Sequence, residues 1–454
     1  MQRLVVIGGV AAGMSAAAKA KRTNPELEVV VYEMGPHISY GACGMPYFLA
    51  GDVPDPQSLI ARTPQQMAKQ GVQVLIHHQV TAINAENRTL QVRDRQAEAE
   101  FQTGYDYLVL ATGAQAIRPQ VPGHDLEGVF VLRSLESGIV IDRFLKEKRP
   151  RRAVIIGGGY IGIEMAETFR RLGLDVTMLI RSGQVMRTTL DDDLRDLVHD
   201  KLADQGVQVV QGTPQAFEGR EQVEAVITQE RTYPCDLVLL GMGAQPNTAL
   251  ARKAGVHLGE SGAIATDAAM RTNLPTIYAA GDCAEAFHRV TGKPAYIPLG
   301  STANKQGRVA GAHIGGETAA FGGIVGTMVV RCFDLAVAST GLTAPDARAA
   351  GFDCSETRIR DKDVSHYFPG AADMHVKLIA DNPTGRLLGA QIIGRTAVAK
   401  RIDVLATALH TEMTIDEIRQ LDLAYAPPFS PVWDPILVAA NVATPYSRNS
   451  GGNP

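Results

Sequence analysis

The stretch SYGACGMPY, Ser39 to Tyr47, encloses Cys43 in small residues and follows it with glycine, proline and an aromatic ring. Small neighbours leave room for a bulky sulfur partner, and a thiolate in such a place can attack a disulfide or be oxidised and reduced again. The other four cysteines, Cys235, Cys283, Cys332 and Cys354, are scattered and form no C-x-x-C pair. An odd total, wide spacing and the lack of a Cys/His cluster predict neither a disulfide framework nor a metal site. Cys283 and the other three are read as packing residues, and the histidines as structural.

The elements that would position Cys43 are legible on both sides of it. Residues 3 to 33 read as strand, glycine turn, small-residue helix and strand: RLVVIGG, VAAGMSAAAKAKR, EVVVYE. Gly8 can make the tight turn, and Gly13 lets helix and strand pack closely. The helix N-terminus faces the place of a pyrophosphate. Val10 stands where the G-x-G-x-x-G pattern has its second glycine. Glu33, 20 residues past Gly13, is placed to accept from a ribose. The same grammar returns at 152 to 181 with Gly157, Gly159 and Gly162 complete and Glu164 in the helix start. There the strand ends in Ile180 and Arg181 instead of an acid. Arg181, with Arg187, would attract a 2′-phosphate, which favours NADPH over NADH.

YDYLVLATGA (105–114) and CDLVLLGMGAQPN (235–247) are apolar strands that would close the two nucleotide units. TIYAAGDCAE (276–285) is a buried-type strand ending in Gly281-Asp282, and the helix TANKQGRVAGAHI lies behind it. From about 324 the texture turns to strand-like runs, then a helix, then a proline-rich return to a last apolar helix. The expected fold class is α/β: two Rossmann-like nucleotide-binding domains plus a C-terminal α+β domain. The expected boundaries are 1–115 with 245–322, 116–244 and 323–446, followed by a frayed tail at 447–454.

At 454 residues the chain is long enough for two or three such domains. Hydrophobic residues make up 45%, charged residues 20%, and the net charge is -4, so no basic surface is on offer and no nucleic-acid partner is expected. The opening MQRLVVIGGV is too short for a signal core, and no window approaches the roughly 18 apolar residues of a membrane span. A cytoplasmic protein with no membrane partner is expected.

The motif order, GG-x-x-x-G with a following acid, ATG, G-x-G-x-x-G, G-x-G and GD, resembles the FAD-dependent pyridine nucleotide-disulfide oxidoreductases over nearly the whole chain. The resemblance implies FAD on the first turn, NADPH or NADH on the second, and a third domain that pairs two subunits. It places FAD against Gly8, Gly9, Val10, Ala11, Ala12, Gly13, Glu33, Met34, Ser39, Val80, Ala111, Thr112, Gly113, Gly281, Asp282 and Ala303, with Asp282 accepting from a ribityl hydroxyl. The nicotinamide dinucleotide is implied at Gly157, Gly159, Tyr160, Ile161, Gly162, Glu164, Ile180, Arg181, Arg187, Gly241 and Gly243.

Within that family the dithiol members carry C-x-x-x-x-C, whereas here no cysteine follows Cys43 until Cys235. The chain is therefore similar to the single-cysteine group, in which one thiol alternates between thiolate and a mixed disulfide, sulfenate or persulfide. The oxidases and peroxidases of the group resemble one another in a histidine two residues before the last glycine of the first turn; this chain has Ala11 there. The stretches SYGACGMPY, TANKQGRVAG and YAPPFSPVWDP look most like coenzyme A-disulfide reductases and their polysulfide-reducing relatives. That resemblance implies a coenzyme A site at Lys19, Arg22, Ser39, Arg62, Asn304 and Arg308. It also implies a homodimer in which C-terminal residues complete the other subunit's site, with Tyr367 and Tyr425 near the thiol as proton donors. An NADH oxidase or peroxidase, a ferredoxin-reductase-like flavoprotein that does not use Cys43, and a flavoprotein redox sensor are the alternatives.

Overall fold

The computed structural model describes residues 1–443; the expected tail at 447–454 lies outside them. The first body is a five-stranded sheet in which Ile277–Ala279, Tyr107–Leu110, Arg3–Ile7, Glu28–Tyr32 and Val72–Leu75 run parallel in that order. Leu4, Val5 and Val6 are fully buried, because a parallel sheet is covered on both faces and its strands read as continuous apolar runs. The second body repeats the plan with Val207–Gln211, Asp175–Ile180, Arg152–Ile156, Leu237–Leu240 and Val129–Phe130.

A two-stranded ladder between Ala114–Ala116 and Ala244–Pro246 carries the chain from the first sheet to the second and back. The third body is an antiparallel sheet in the order Met328–Cys332, Leu335–Gly341, Leu387–Gly394, Asp373–Asp381, Cys354–Lys362, packed on the helix Val398–His410. Its central strand Leu387–Gly394 is buried along its whole length. No helix among the described residues is long and apolar enough to cross a membrane.

Close packing of two helices frames the first nucleotide turn. The helix Gly300–Ile314 lies on the helix Ala11–Thr23, and a Cβ on Gly307 or Gly311 would stand 2.2 or 2.3 Å from the carbonyl oxygen of Ala12 or Ala16. Only glycine permits that approach, and it draws the polar edges of both helices together.

Candidate functional site

The first turn is built from backbone. Gly8 has φ +107°, and a Cβ on it would lie 2.1 Å from the Ala111 oxygen, while one on Gly13 would lie 1.9 Å from the Gly8 oxygen. Val10 begins the helix Ala11–Thr23 without any side-chain cap, so its first N–H groups remain open to an anion. Glu33 accepts from the Gly9 N–H at 2.7 Å and the Gly35 N–H at 2.8 Å, which leaves further lone pairs for a hydroxyl. Ala12, Ala280 and Ala303 form a small buried cluster with Ala11 and Ala111 beside them, and a Cβ on Gly281 would meet that of Ala12 at 2.8 Å. A cradle of glycine and alanine with a carboxylate at its rim fits a flavin dinucleotide.

The remaining residues read for that cofactor are placed more variously. Ser39, at φ +47°, donates its N–H to the Gly9 oxygen at 2.8 Å, which ties the segment ahead of Cys43 to the turn. Val80 is buried in the strand His78–Asn84, and Met34 is exposed. Thr112, beside Gly113, donates to the Asn247 carbonyl at 2.6 Å and accepts from its amide at 2.9 Å through its own carbonyl, so it braces the crossover. Asp282 is held by Arg133 at 2.5 Å, and Arg133 also donates to the Ala114 carbonyl at 3.1 Å.

The second turn shares this build. Gly157 has φ +115° with its missing Cβ 2.2 Å from the Gly241 oxygen, and Gly162 leaves 2.4 Å to the Gly157 oxygen. Gly159 opens the helix Tyr160–Arg171 with free space around it. Gly243, at φ +100°, turns the chain towards the crossover. Burial pushes the Tyr160 phenol up to about 12, and Ile161 is half-buried next to it. Ile180 is 6% exposed and packs its Cδ1 beneath Gly158. Arg181 and Arg187 are exposed, and neither guanidinium forms an ion pair among the described residues.

Cys43 lies where the two units approach each other, in the short turn Ala42–Gly44 before the helix Met45–Leu49, and it is solvent-accessible. The helix that follows has only five residues. Burial by surrounding protein, then Glu164 and Asp282, push the thiol up, opposed by Arg133. Glu164 accepts from the Tyr47 hydroxyl at 3.0 Å, and burial raises its carboxyl to about 7.

Lys19, Arg22, Asn304 and Arg308 share the two packed helices. Lys19 is not a free cation, however: both Glu317 oxygens hold it at 2.7 Å. Asn304 accepts from Ser15 at 2.7 Å, Arg22 donates to the Ala18 carbonyl at 3.3 Å, and Arg62 to the Ala61 carbonyl at 2.7 Å. Tyr367 and Tyr425 stand close together on the third body, exposed by 64% and 46%, and Tyr367 raises the Tyr425 phenol. Neither hydrogen-bonds to Cys43 among the described residues.

Arg133, Tyr47 and Arg331 are the site residues that sequence reasoning missed. Tyr47 lay inside the quoted cysteine stretch and marked itself only by position. An arginine inside the strand-like run GTMVVRCF was the sole sign of Arg331. Arg133 carried no motif.

Two family models match the chain: pyridine nucleotide-disulphide oxidoreductase over residues 2–307, and the dimerisation domain of the same family over 327–435. A Pyrococcus horikoshii protein named NAD(P)H coenzyme A polysulfide/persulfide reductase is 39% identical over 442 residues, covering 97% of this chain and 98% of its own length. The structure of reduced Bacillus anthracis CoADR-RHD superposes with a TM-score of 0.94 at 34% identity, over 97% of this chain and 79% of the other. An engineered water-forming NADPH oxidase, a mutant of the Lactobacillus brevis NADH oxidase solved with NADPH, also gives 0.94 at 31% identity, over 97% and 98%.

Proposed function

The chain belongs to the pyridine nucleotide-disulphide oxidoreductases and is a flavin-dependent NAD(P)H oxidoreductase of the coenzyme A-disulfide and persulfide reductase type; from that premise we propose that it reduces a coenzyme A disulfide, persulfide or polysulfide through the single thiol of Cys43. The observation that carries the reading is the accessible Cys43, whose thiol feels Glu164 of the second unit and Asp282 of the first and which forms no internal disulfide. The thiolate attacks one sulfur of the acceptor, forming a mixed disulfide on Cys43 and releasing the other half as a thiolate. Two electrons and a proton then free the second thiol and restore the Cys43 thiolate. Bound at the two glycine turns, flavin and nicotinamide would supply that electron pair.

The chain's own residues fit the other demands of this reading. Arg22, Arg62 and Arg308 supply cations for the phosphates of coenzyme A, with Ser39 and Asn304 as polar contacts, and Lys19 joins them once Glu317 gives it up. Tyr367, Tyr425, Phe429, Val432 and Trp433 leave a large aromatic and apolar surface exposed on the third body. Burial of that surface against a second copy supports a homodimer and would bring the two phenols to the partner's cysteine as proton donors.

For the nicotinamide, NADPH is the preferred donor in this reading. In the engineered NADPH oxidase the changes remove an aspartate, place arginine and serine at the next two positions, and put an arginine seven positions beyond the lost acid. This chain reads Ile180-Arg181-Ser182, with Arg187 seven positions beyond Ile180.

The test is anaerobic oxidation of NADPH and NADH by the purified protein with coenzyme A disulfide, with polysulfide and without acceptor, beside Cys43→Ser. Turnover on a sulfur acceptor that falls at least about a thousandfold in the variant is expected. Turnover indifferent to Cys43, or oxygen consumption that outruns every sulfur acceptor, would overturn the reading.

A further inference from the structure

Three bodies of the chain meet at one polar cluster. Tyr47, one turn after Cys43, donates to Glu164 on the helix Tyr160–Arg171. From the edge strand Met328–Cys332 of the third body, Arg331 stacks its guanidinium 4.8 Å from the Tyr47 ring centroid. The same guanidinium pairs with Glu167 at 2.7 Å and Asp52 at 3.0 Å. Glu167 also accepts from the Phe333 N–H at 2.8 Å, and Asp52 is gripped by Arg171. The groups leave no space for a water molecule between them. Among the described residues Glu164 is the carboxylate of this cluster that has no cation on it, only a phenol.

We propose that Arg331 is a positioning residue: it fixes the Tyr47 ring, and through the Tyr47 hydroxyl it sets the orientation and charge state of Glu164 beside the nicotinamide end of the second turn. The inference rests on the reading of the chain as a flavin-dependent NAD(P)H oxidoreductase. An ionised Glu164 would favour hydride donation, since loss of hydride leaves the nicotinamide ring positive and a nearby carboxylate stabilises that charge. Uptake of electrons would then rise with pH as Glu164 ionises.

The groups facing Glu164 oppose one another, and burial wins. Burial lifts its carboxyl to about 7, and Glu167 on its own helix adds to the rise. Tyr47 from the preceding segment and Arg331 from the third body pull it down. Asp52 and Arg171 lie behind Arg331, and Cys43 feels Glu164 from the other side. Because the folded-state value exceeds the usual carboxylate value, the linked stability is present at low pH and is lost as pH rises through about 7.

Two readouts test this. The first is the thermal midpoint of the purified protein between pH 5 and 9, measured without nicotinamide. The wild type should lose stability as pH rises from the acid side and level off near pH 7, a loss that Glu164→Gln removes. Arg331→Met should move that levelling-off upward by roughly half a pH unit, and Arg331→Lys should leave it in place. The second is single-turnover bleaching of the flavin by NADPH, whose rate should inflect at the same pH in each variant. If Arg331→Met does not fold, Tyr47→Phe carries the same expected upward shift. Wild-type protein that is never bleached by NADPH or NADH would overturn the enzyme reading, while the thermal series would still decide the linkage. An unchanged neutral transition in Glu164→Gln, or one that stays in place in Arg331→Met and Tyr47→Phe, overturns the proposal.

Discussion

The strands Arg3–Ile7 and Arg152–Ile156 end alike. Gly8 and Gly157 both turn at φ above +100°, and each would drive a Cβ to within 2.2 Å of a carbonyl oxygen on the strand beside it. Gly13 and Gly162 then let each helix start against its own turn. The two sites part company at the end of the second strand. Glu33 accepts two backbone N–H groups and shapes the rim of the first turn. Ile180 instead fills space beneath Gly158, and the next residue is an exposed arginine. The difference separates two tasks: glycines make room for a pyrophosphate, which every dinucleotide has, and the strand end reads the ribose, where dinucleotides differ.

The largest effect should come from attacking what the two turns share. Strain at such a backbone position costs on the order of 1–3 kcal/mol, and the carbonyl overlap adds to it. Gly8→Ala should yield colourless or insoluble protein, since the flavin turn lies in the core of the first sheet. Gly157→Ala should yield yellow protein whose NADPH dissociation constant rises at least about tenfold. Flavin absorbance and a nicotinamide titration separate the two outcomes, and a yellow Gly8→Ala protein with normal NADPH binding would break the comparison.

A smaller and more specific effect belongs to the strand ends. A charge-assisted bond to a phosphate contributes about 1.5–3 kcal/mol, or roughly 10–100-fold. Arg181→Glu should therefore lower the ratio of kcat/KM for NADPH to that for NADH by about that factor, with flavin content unchanged. Ile180→Asp should act in the same direction by restoring the kind of acid that Glu33 supplies in the first unit. A ratio that stays put would mean that the strand end does not read the ribose here.

Much of this was legible in order along the chain. Both glycine turns, the continuous apolar runs of the parallel strands and the final helices are local patterns, and they fold where those patterns say. The lone position of Cys43 was equally plain. The electrostatics around the thiol were not. Arg133, Glu164 and Asp282 come from three distant segments that only the folded chain brings to Cys43. Lys19 looked like a free cation because its partner Glu317 is almost three hundred residues away.

The strands that close the two units end alike without charge, on Ala111-Thr112-Gly113 and on Gly241 and Gly243, but the first unit adds the strand Ile277–Ala279, after which comes Asp282, held by Arg133. Arg133 is the cation that opposes the upward push on the Cys43 thiol, and it also covers an anion that contributes to that push. Removing it should act twice in the same direction: Arg133→Gln withdraws the favourable charge and leaves Asp282 bare. In flavin-free protein the pH midpoint for alkylation of Cys43 by iodoacetamide, corrected with Cys43→Ser, should rise. At fixed neutral pH the reaction should slow accordingly, because only the thiolate reacts. A midpoint that is unmoved or falls would mean that Arg133 serves Asp282 alone, and this asymmetry between the two units would then have no bearing on the thiol.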